Sequence, residues 1–150
     1  MFVSSFHRPP KVSSTTINRK ENMSRTKIVT DKAPAPIGPY SQAILVDGKF
    51  LYISGQGPMD PTTSTIVEDD IQKQTRRVMQ NLEAILTAGG ASLRSVVKTT
   101  VFLKDMNEFA AMNEIYNEYL GATAPARSTI EAARLPRDIR VEIEAIAVIE

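Results

Sequence analysis

Arg127 and Glu142 are the residues of this 150-residue chain whose types and surroundings best suit chemistry on a small anion. Arg127 follows Pro125 in the segment APARST, so we expect it at the exit of a constrained loop and the first position of a strand. A guanidinium fixed there can offer two parallel N–H donors to a carboxylate or phosphate. The alternative is a surface arginine paired with Glu131 or Asp138.

Glu142 lies in the segment VEIEAIAV, where one set of alternate positions is wholly apolar and the other is mixed. A carboxylate on the mixed face would meet solvent, a subunit boundary or a cleft. If the chain turns near Pro136 and Arg137, Glu142 falls opposite Glu131 and within a few residues of Arg127. That arrangement would place an arginine and a carboxylate in one pocket, and a solvated strand edge is the alternative.

Four further residues are candidates to line such a pocket: Tyr40, Ser54, Gly55 and Asn113. Glycine and proline before Tyr40 would hold its hydroxyl in a defined place, and Gly55, at a strand end, permits close backbone approach to a ligand. Each also has an ordinary structural explanation. These are a packed tyrosine, a strand-ending bulge at Ser54 and Gly55, and a polar helix face at Asn113.

The absence of cysteine and the near absence of histidine exclude several kinds of catalytic site. There is no cysteine, and the single histidine, His7, lies in the first ten residues. This excludes disulfides, a thiolate nucleophile and a Cys/His zinc site and, unless His7 belongs to the folded body, an imidazole base. Catalysis would then depend on arginine, lysine, carboxylates, hydroxyls, amides and backbone groups.

Charge separates the first 22 residues from the rest of the chain. This segment has four basic residues and one acidic residue, a balance of +3, which leaves residues 23–150 at −2. An acidic body argues against nucleic-acid binding, and the absence of a long apolar run argues against a membrane span. Residues 1–22 are expected to be an extension before Met23, in a cytoplasmic protein, or alternatively a mitochondrial or plastid transit peptide.

The spacing of apolar residues predicts the strands and helices that position the candidate site residues. Residues 43–46 and 50–53 are two apolar runs joined by Asp47-Gly48, which predicts a hairpin. Residues 70–88 have one apolar face at helical spacing and end at Gly89-Gly90, which predicts a long helix. A buried strand follows in SVVKTTVFLKD. Asp105 and Glu108 then have the spacing of a capping box, opening a second helix that Gly121 ends.

The last part of the chain, RSTIEAAR and VEIEAIAVIE around a turn at LPRD, predicts a second hairpin. With a short β-prone run at residues 27–29 before the first hairpin, the element order is then β, ββ, α, β, α, ββ. Two long helices on one face of a mostly antiparallel sheet leave the other face uncovered. We therefore expect an α+β fold whose open face is covered by another copy of the chain.

Taken together, these segments resemble the reactive intermediate deaminase (Rid, YjgF-type) family, and its RidA subfamily in particular. The resemblance covers residues 26–149 and is carried by APAPIGPYSQA, YISGQ, VVKTTVFLKDMNEFAAMNEIYNEY and PARSTIEAARLPRDIRVEIEAIAV. It implies one Rid-type domain over residues 23–150, with a fold like that of the chorismate mutase trimers. It also implies a homotrimer with a cleft at each interface and no cofactor or metal.

The resemblance further implies an activity, the hydrolysis of enamines and imines such as 2-aminoacrylate and 2-iminopropanoate to 2-oxo acids and ammonia. By position, Arg127 matches the family's carboxylate-binding arginine and Glu142 the glutamate that holds water. Tyr40, Ser54, Gly55 and Asn113 match pocket positions. Thr129 stands where many RidA members have cysteine and where the main chain contacts substrate. Alternatives are a non-catalytic trimer that binds carboxylates and, with less support, a ribonuclease or translation inhibitor.

Overall fold

The computed structural model describes residues 25–149, so the predicted N-terminal segment and His7 lie outside the described residues. The order of strands and helices is the predicted one. The elements are β1 Arg25–Ile28, β2 Ala43–Val46, β3 Lys49–Gln56, α1 Ile71–Ala88, β4 Val96–Leu103, α2 Phe109–Leu120, β5 Ala126–Glu131 and β6 Val141–Ile149. Short 3-10 turns precede β4, α2 and β6.

The main sheet has four strands in the order β3-β6-β4-β5. β6 runs antiparallel to both of its neighbours, and only the β4–β5 pair is parallel. β1 and β2 form a separate antiparallel pair. The sheet is therefore mostly antiparallel, and with two helices it gives the expected α+β fold.

Both predicted hairpins are wrong, because β2 does not pair with β3 and β5 does not pair with β6. β2 pairs with β1 and β3 pairs with β6, so Asp47-Gly48 turns the chain from one sheet to the other. β4 lies between β5 and β6, and Glu142 is consequently opposite Phe102 instead of Glu131. β6 is buried along almost its whole length, and a strand of that kind occupies the sheet centre with a neighbour on each side.

Helix α1 begins and ends where the sequence predicts. The Asp70 side chain caps it by accepting a hydrogen bond of 2.8 Å from the Lys73 N–H, and Gly89 follows its last turn. Its apolar face is buried against the sheet through Val78, Leu82 and other residues. The predicted capping box at α2 is not formed. The Asp105 side chain caps a 3-10 turn, while the Glu108 carboxylate accepts a hydrogen bond from Arg140.

The two helices cover one face of the main sheet and leave the other open, as expected. Alternate residues of β6, among them Val141 and Ile143, are fully buried under the helices. On the opposite face Phe50, Tyr52 and Ile130 are 48%, 73% and 48% exposed. Large apolar side chains on an uncovered sheet face are typical of an interface. No helix within residues 25–149 is long and apolar enough to cross a membrane.

A buried glutamine connects α1 to the beginning of β6. Gln74 is 2% exposed, and its Oε1 accepts a hydrogen bond of 2.9 Å from the Arg140 N–H. This bond satisfies a backbone donor that has no strand partner and fixes the chain two residues before Glu142. Helical spacing alone did not mark Gln74, since it interrupts an otherwise apolar face.

We expect Gln74→Ala to lower the free energy of unfolding by about 1–3 kcal/mol, because it leaves the Arg140 N–H without its partner. Gln72→Ala is the matched control. Gln72 is on the same helix and donates to Glu114 at an exposed site, and we expect a change within about 0.5 kcal/mol. Urea unfolding of both variants measures the difference, and equal losses would contradict the role given to Gln74.

Candidate functional site

The Arg127 side chain at the beginning of β5 is surrounded by aromatic rings and one amide. Its guanidinium carbon lies 4.7 Å from the ring centre of Tyr116, 5.4 Å from Tyr40 and 5.5 Å from Phe109. Its Nη1 donates a hydrogen bond of 2.7 Å to Oδ1 of Asn113. Ring faces attract a cation without neutralising it, so the guanidinium is held in place with its full charge.

No carboxylate lies within salt-bridge distance of Arg127 among residues 25–149. The two acids considered as its surface partners are engaged elsewhere. Glu131 accepts a hydrogen bond of 2.8 Å from the Met106 N–H, and Asp138 pairs with Lys104 at 2.8 Å. The surface-pair alternative is therefore wrong, and the half-buried cation is left to an anion from elsewhere.

Burial changes the acid–base properties of this cluster. Removal from water lowers the pKa of Arg127, against the attraction of the Tyr116 and Tyr40 oxygens. Burial also raises the pKa of Tyr116, whose hydroxyl shares a 2.7 Å hydrogen bond with Oγ1 of Thr99. An arginine keeps its proton through such a shift, because its ordinary pKa lies far above neutrality. The site therefore carries a poorly solvated positive charge.

Tyr40 reaches this cluster because the loop before β2 is attached to the beginning of β5. The Ser41 hydroxyl donates to the Ala124 carbonyl at 2.6 Å, and the Ser41 N–H donates to the Pro125 carbonyl at 3.2 Å. Gly38 allows the loop to approach closely, since a Cβ there would lie 3.3 Å from Nη2 of Arg127. The sequence analysis identified Tyr40 and missed the serine that positions it.

The Tyr40 hydroxyl accepts a hydrogen bond of 3.3 Å from the Ile37 N–H. An accepted bond leaves the hydroxyl proton free to be donated to another group. The phenol is thus fixed beside the guanidinium with a donor available.

Thr129 lies two residues after Arg127 on β5, the edge strand of the main sheet. The Ala132 N–H donates to β4, whereas the Pro125 carbonyl on the opposite side accepts from Ser41. Because successive peptide groups of a strand alternate in direction, the Thr129 N–H points toward the open edge. Its side-chain Oγ1 is buried and has no hydrogen-bond partner within the described chain.

Glu142 lies in a second cluster, over the glycine at the end of β3. A register shift between Ile53 and Gln56 marks a bulge in β3 at Ser54 and Gly55. A Cβ on Gly55 would overlap the Glu142 carboxylate, so glycine allows the carboxylate to lie directly against the β3 backbone. The sequence had placed Glu142 opposite Glu131, and the structure instead brings it against Gly55 of β3.

A cleft of about 390 Å³ extends from Glu142 along the surface between the end of β3, α1 and the turn before β6. The carboxylate lies at one end of it, and Pro136 and Arg137 form part of its rim. The backbone of Arg137 has a φ of 55°, a conformation that residues other than glycine adopt at a cost of about 1–3 kcal/mol.

Arg127 and Glu142 do not share a pocket within one protomer, which corrects the expectation from the predicted hairpin. Arg127 pairs with Thr99 and Glu142 with Phe102, three positions apart on β4. An odd separation places the two side chains on opposite faces. Arg127 is on the face that α2 covers, together with Tyr40 and Asn113, whereas Glu142 is on the open face with Gly55.

The structure adds Tyr116 and Phe109 to the predicted site, since both rings lie against the Arg127 guanidinium. Their spacing in the sequence, with Met112 and Leu120, is that of the apolar face of a helix. Asn113 lies between them in sequence and was identified as a polar residue aimed at a pocket. A polar residue flanked by aromatic residues at helical spacing was the available signal for all three.

The chain was compared with known proteins and structures. The sequence profile described as Endoribonuclease L-PSP matches residues 30–149. A RutC family protein of Pyrococcus abyssi is 57% identical over 125 residues, covering 83% of this chain and 98% of that protein. The mouse protein named 2-iminobutanoate/2-iminopropanoate deaminase is 50% identical over 124 residues, covering 83% and 91%. The crystal structure of E. coli TdcF with bound serine matches at a TM-score of 0.64 and 43% identity, covering 83% and 99%.

We expect Asn113→Asp to weaken the binding of a small monocarboxylate such as pyruvate about tenfold or more. The new carboxylate would pair with Arg127 and neutralise the charge that attracts the ligand. Asn113→Ala is the control, because it removes the same hydrogen bond without adding a charge, and its loss should be smaller. Calorimetric titration measures both affinities, and equal binding by Asn113→Asp and the unaltered protein would contradict an anion site at Arg127.

Proposed function

This chain belongs to the Rid/YjgF/L-PSP (RutC) family, and from that premise we propose that it is an enamine and imine deaminase. Its reaction is the hydrolysis of 2-aminoacrylate and the tautomeric 2-iminopropanoate to pyruvate and ammonia. The observation that carries the proposal is the half-buried Arg127 guanidinium, which has no acidic partner in the described chain. The deaminase names of relatives at about half identity support it.

Arg127 binds the substrate carboxylate in this proposal. Its guanidinium provides paired N–H donors, and the nearby Thr129 N–H faces the open edge of the same strand. These three donors, all on the same rigid strand, orient a planar 2-imino acid. Orientation of this kind contributes to catalysis by holding the imine carbon where water can attack it.

Glu142 and Tyr40 move the protons. Water adds to the imine carbon, its proton passes to Glu142, and the imine nitrogen takes a proton from the Tyr40 side. The carbinolamine nitrogen then takes a second proton from Glu142 while its hydroxyl returns a proton to Tyr40, and ammonia leaves as the C–N bond breaks and the carbonyl forms. An imine carbon is already electrophilic, so neither a covalent nucleophile nor a cofactor is required.

Two copies of the chain are needed to bring these residues together, since Arg127 and Glu142 are on opposite faces of one sheet. We propose a homotrimer in which the open sheet faces meet and the β5 edge of one copy, with its Arg127, lies beside the Glu142 of the next copy. The exposed Phe50, Tyr52 and Ile130 side chains support association through this face. The same arrangement would also keep water away from the guanidinium.

A coupled assay tests the activity. A serine or threonine dehydratase releases the unstable enamine or imine, and we expect this protein to accelerate the appearance of the 2-oxo acid. Arg127→Ala should reduce that acceleration about a hundredfold or more, because it removes the bidentate contact. Glu142→Gln should reduce it about 10²- to 10⁴-fold, the range of general acid–base catalysis.

Arg134→Ala is the matched control, because Arg134 is an exposed arginine on the segment between β5 and β6. It should retain full acceleration. Binding of pyruvate without any acceleration would instead make this a carboxylate-binding protein. Full activity of Arg127→Ala with an intact fold would refute the assignment of the site.

Mixing two inactive variants tests whether the site is shared. In oligomers assembled at random from equal amounts of Arg127→Ala and Glu142→Gln chains, about one interface in four combines an intact arginine with an intact glutamate. We therefore expect about a quarter of the original activity to return after co-refolding. No recovery would mean that both residues act within one protomer, contrary to the strand pairing.

A further inference from the structure

The loop between β1 and β2, residues 29–42, carries Tyr40 and has few backbone hydrogen bonds of its own. Three of its residues are prolines, which lack the N–H that such bonds need. Within the described chain its backbone donates from the Tyr40 N–H to the Gly38 carbonyl at 2.8 Å and from the Ser41 N–H to the Pro125 carbonyl at 3.2 Å. Side chains must therefore fix the part of the loop that precedes Tyr40.

The Gln42 side chain makes most of the remaining bonds. Its Nε2 donates to the carbonyls of Thr30, Ala33 and Pro34 at 3.0, 3.2 and 2.8 Å, and its Oε1 accepts a hydrogen bond of 2.8 Å from the Thr30 N–H. The amide group has two donor hydrogens, so one of them is shared between two carbonyls. Gln42 is partly buried, whereas residues 30–37 are exposed. One side chain thus joins the beginning of the loop and its first proline to the start of β2.

The orientation of the Tyr40 hydroxyl depends on this part of the loop. The hydroxyl accepts its hydrogen bond from the Ile37 N–H, and Ile37 comes three residues after Pro34, whose carbonyl Gln42 binds. The Ile37 side chain is 94% exposed, so its packing does not fix the backbone there. The bonds of Gln42 therefore hold the donor that orients the Tyr40 hydroxyl.

We propose that Gln42 is a positioning residue, which acts on the reaction through Tyr40. The inference rests on the proposed deaminase function for the role of Tyr40 in proton transfer. Arg127 binds the substrate carboxylate from β5, and the bonds of Gln42 do not involve that strand. Loss of these bonds should consequently slow the chemical step and leave substrate binding largely unchanged.

Gln42→Ala and Gln42→Met test this in the coupled assay, with the amount of dehydratase varied to set the imine concentration. Methionine has about the length of glutamine and none of its N–H donors. We expect both variants to lower kcat about tenfold or more and to keep KM within about threefold, because a displaced proton donor is less effective. Gln72→Ala, which removes one exposed hydrogen bond to Glu114, is the control and should retain kcat. An unchanged kcat in either Gln42 variant would overturn the inference.

A double variant shows whether Gln42 acts through Tyr40. Tyr40→Phe removes the hydroxyl and should lower kcat by itself. If Gln42 serves to place that hydroxyl, adding Gln42→Ala to Tyr40→Phe should lower kcat by less than about a further twofold. Losses that multiply would mean that the two residues act independently, and full kcat in Tyr40→Phe would remove both from the reaction. Either result would overturn the inference.

Hydrogen exchange followed by NMR separates this inference from the proposed function, because it needs no substrate. The Ile37 and Tyr40 amides each donate a hydrogen bond within the loop. We expect both to exchange about tenfold faster in Gln42→Ala, while the amides of α1 exchange as before. Faster exchange in a protein that does not accelerate imine hydrolysis would refute the deaminase and support the role of Gln42 in the loop. Unchanged exchange and full activity in Gln42→Ala would refute that role and leave the deaminase standing.

Discussion

The guanidinium of Arg127 is a desolvated positive charge without a counter-ion in the described chain. The surrounding residues must stabilise this charge. Burial of an unpaired charge is costly, and three ring faces and one amide offset only part of that cost. Their positions require α2 to lie across β5. The buried hydrogen bond between Thr99 and Tyr116 fixes the helix there. The part of the desolvation cost that they do not offset favours the binding of a carboxylate to Arg127.

The order of the strands separates the two parts of the candidate site. β4 lies between β5 and β6, so the residues that follow each other across the LPRD turn are two strands apart. Alternation along each strand then sends Arg127 toward the helices and Glu142 toward the open face. The open face that carries Glu142 also exposes Phe50, Tyr52 and Ile130, and large exposed apolar side chains are typical of an interface. The separation therefore favours a site that two copies complete together.

Local signals predicted the elements well and their pairing poorly. Asp70 and Gly89 end α1 by hydrogen bonds to backbone groups within four residues of each. Such local signals can be recognised in a short stretch of sequence. Strand pairing depends on which buried faces meet across the whole chain. Asp47-Gly48 does produce a sharp turn, with a Gly48 φ of 147°. The turn directs β3 onto β6, whose other neighbour is β4, and no local pattern records that choice.

The candidate residues were identified one at a time, whereas their contacts connect distant segments. Glycine at position 55 was read as a place for close backbone approach, and the approaching group is the carboxylate of Glu142, 87 positions later in the chain. The alternation in VEIEAIAV could have carried the argument further. Its long and largely buried run is typical of a central strand, and its two neighbours are β3 and the long buried strand β4. Arg127 and Glu142 then lie opposite residues of β4 that are an odd number of positions apart, and this puts Glu142 on the face away from Arg127.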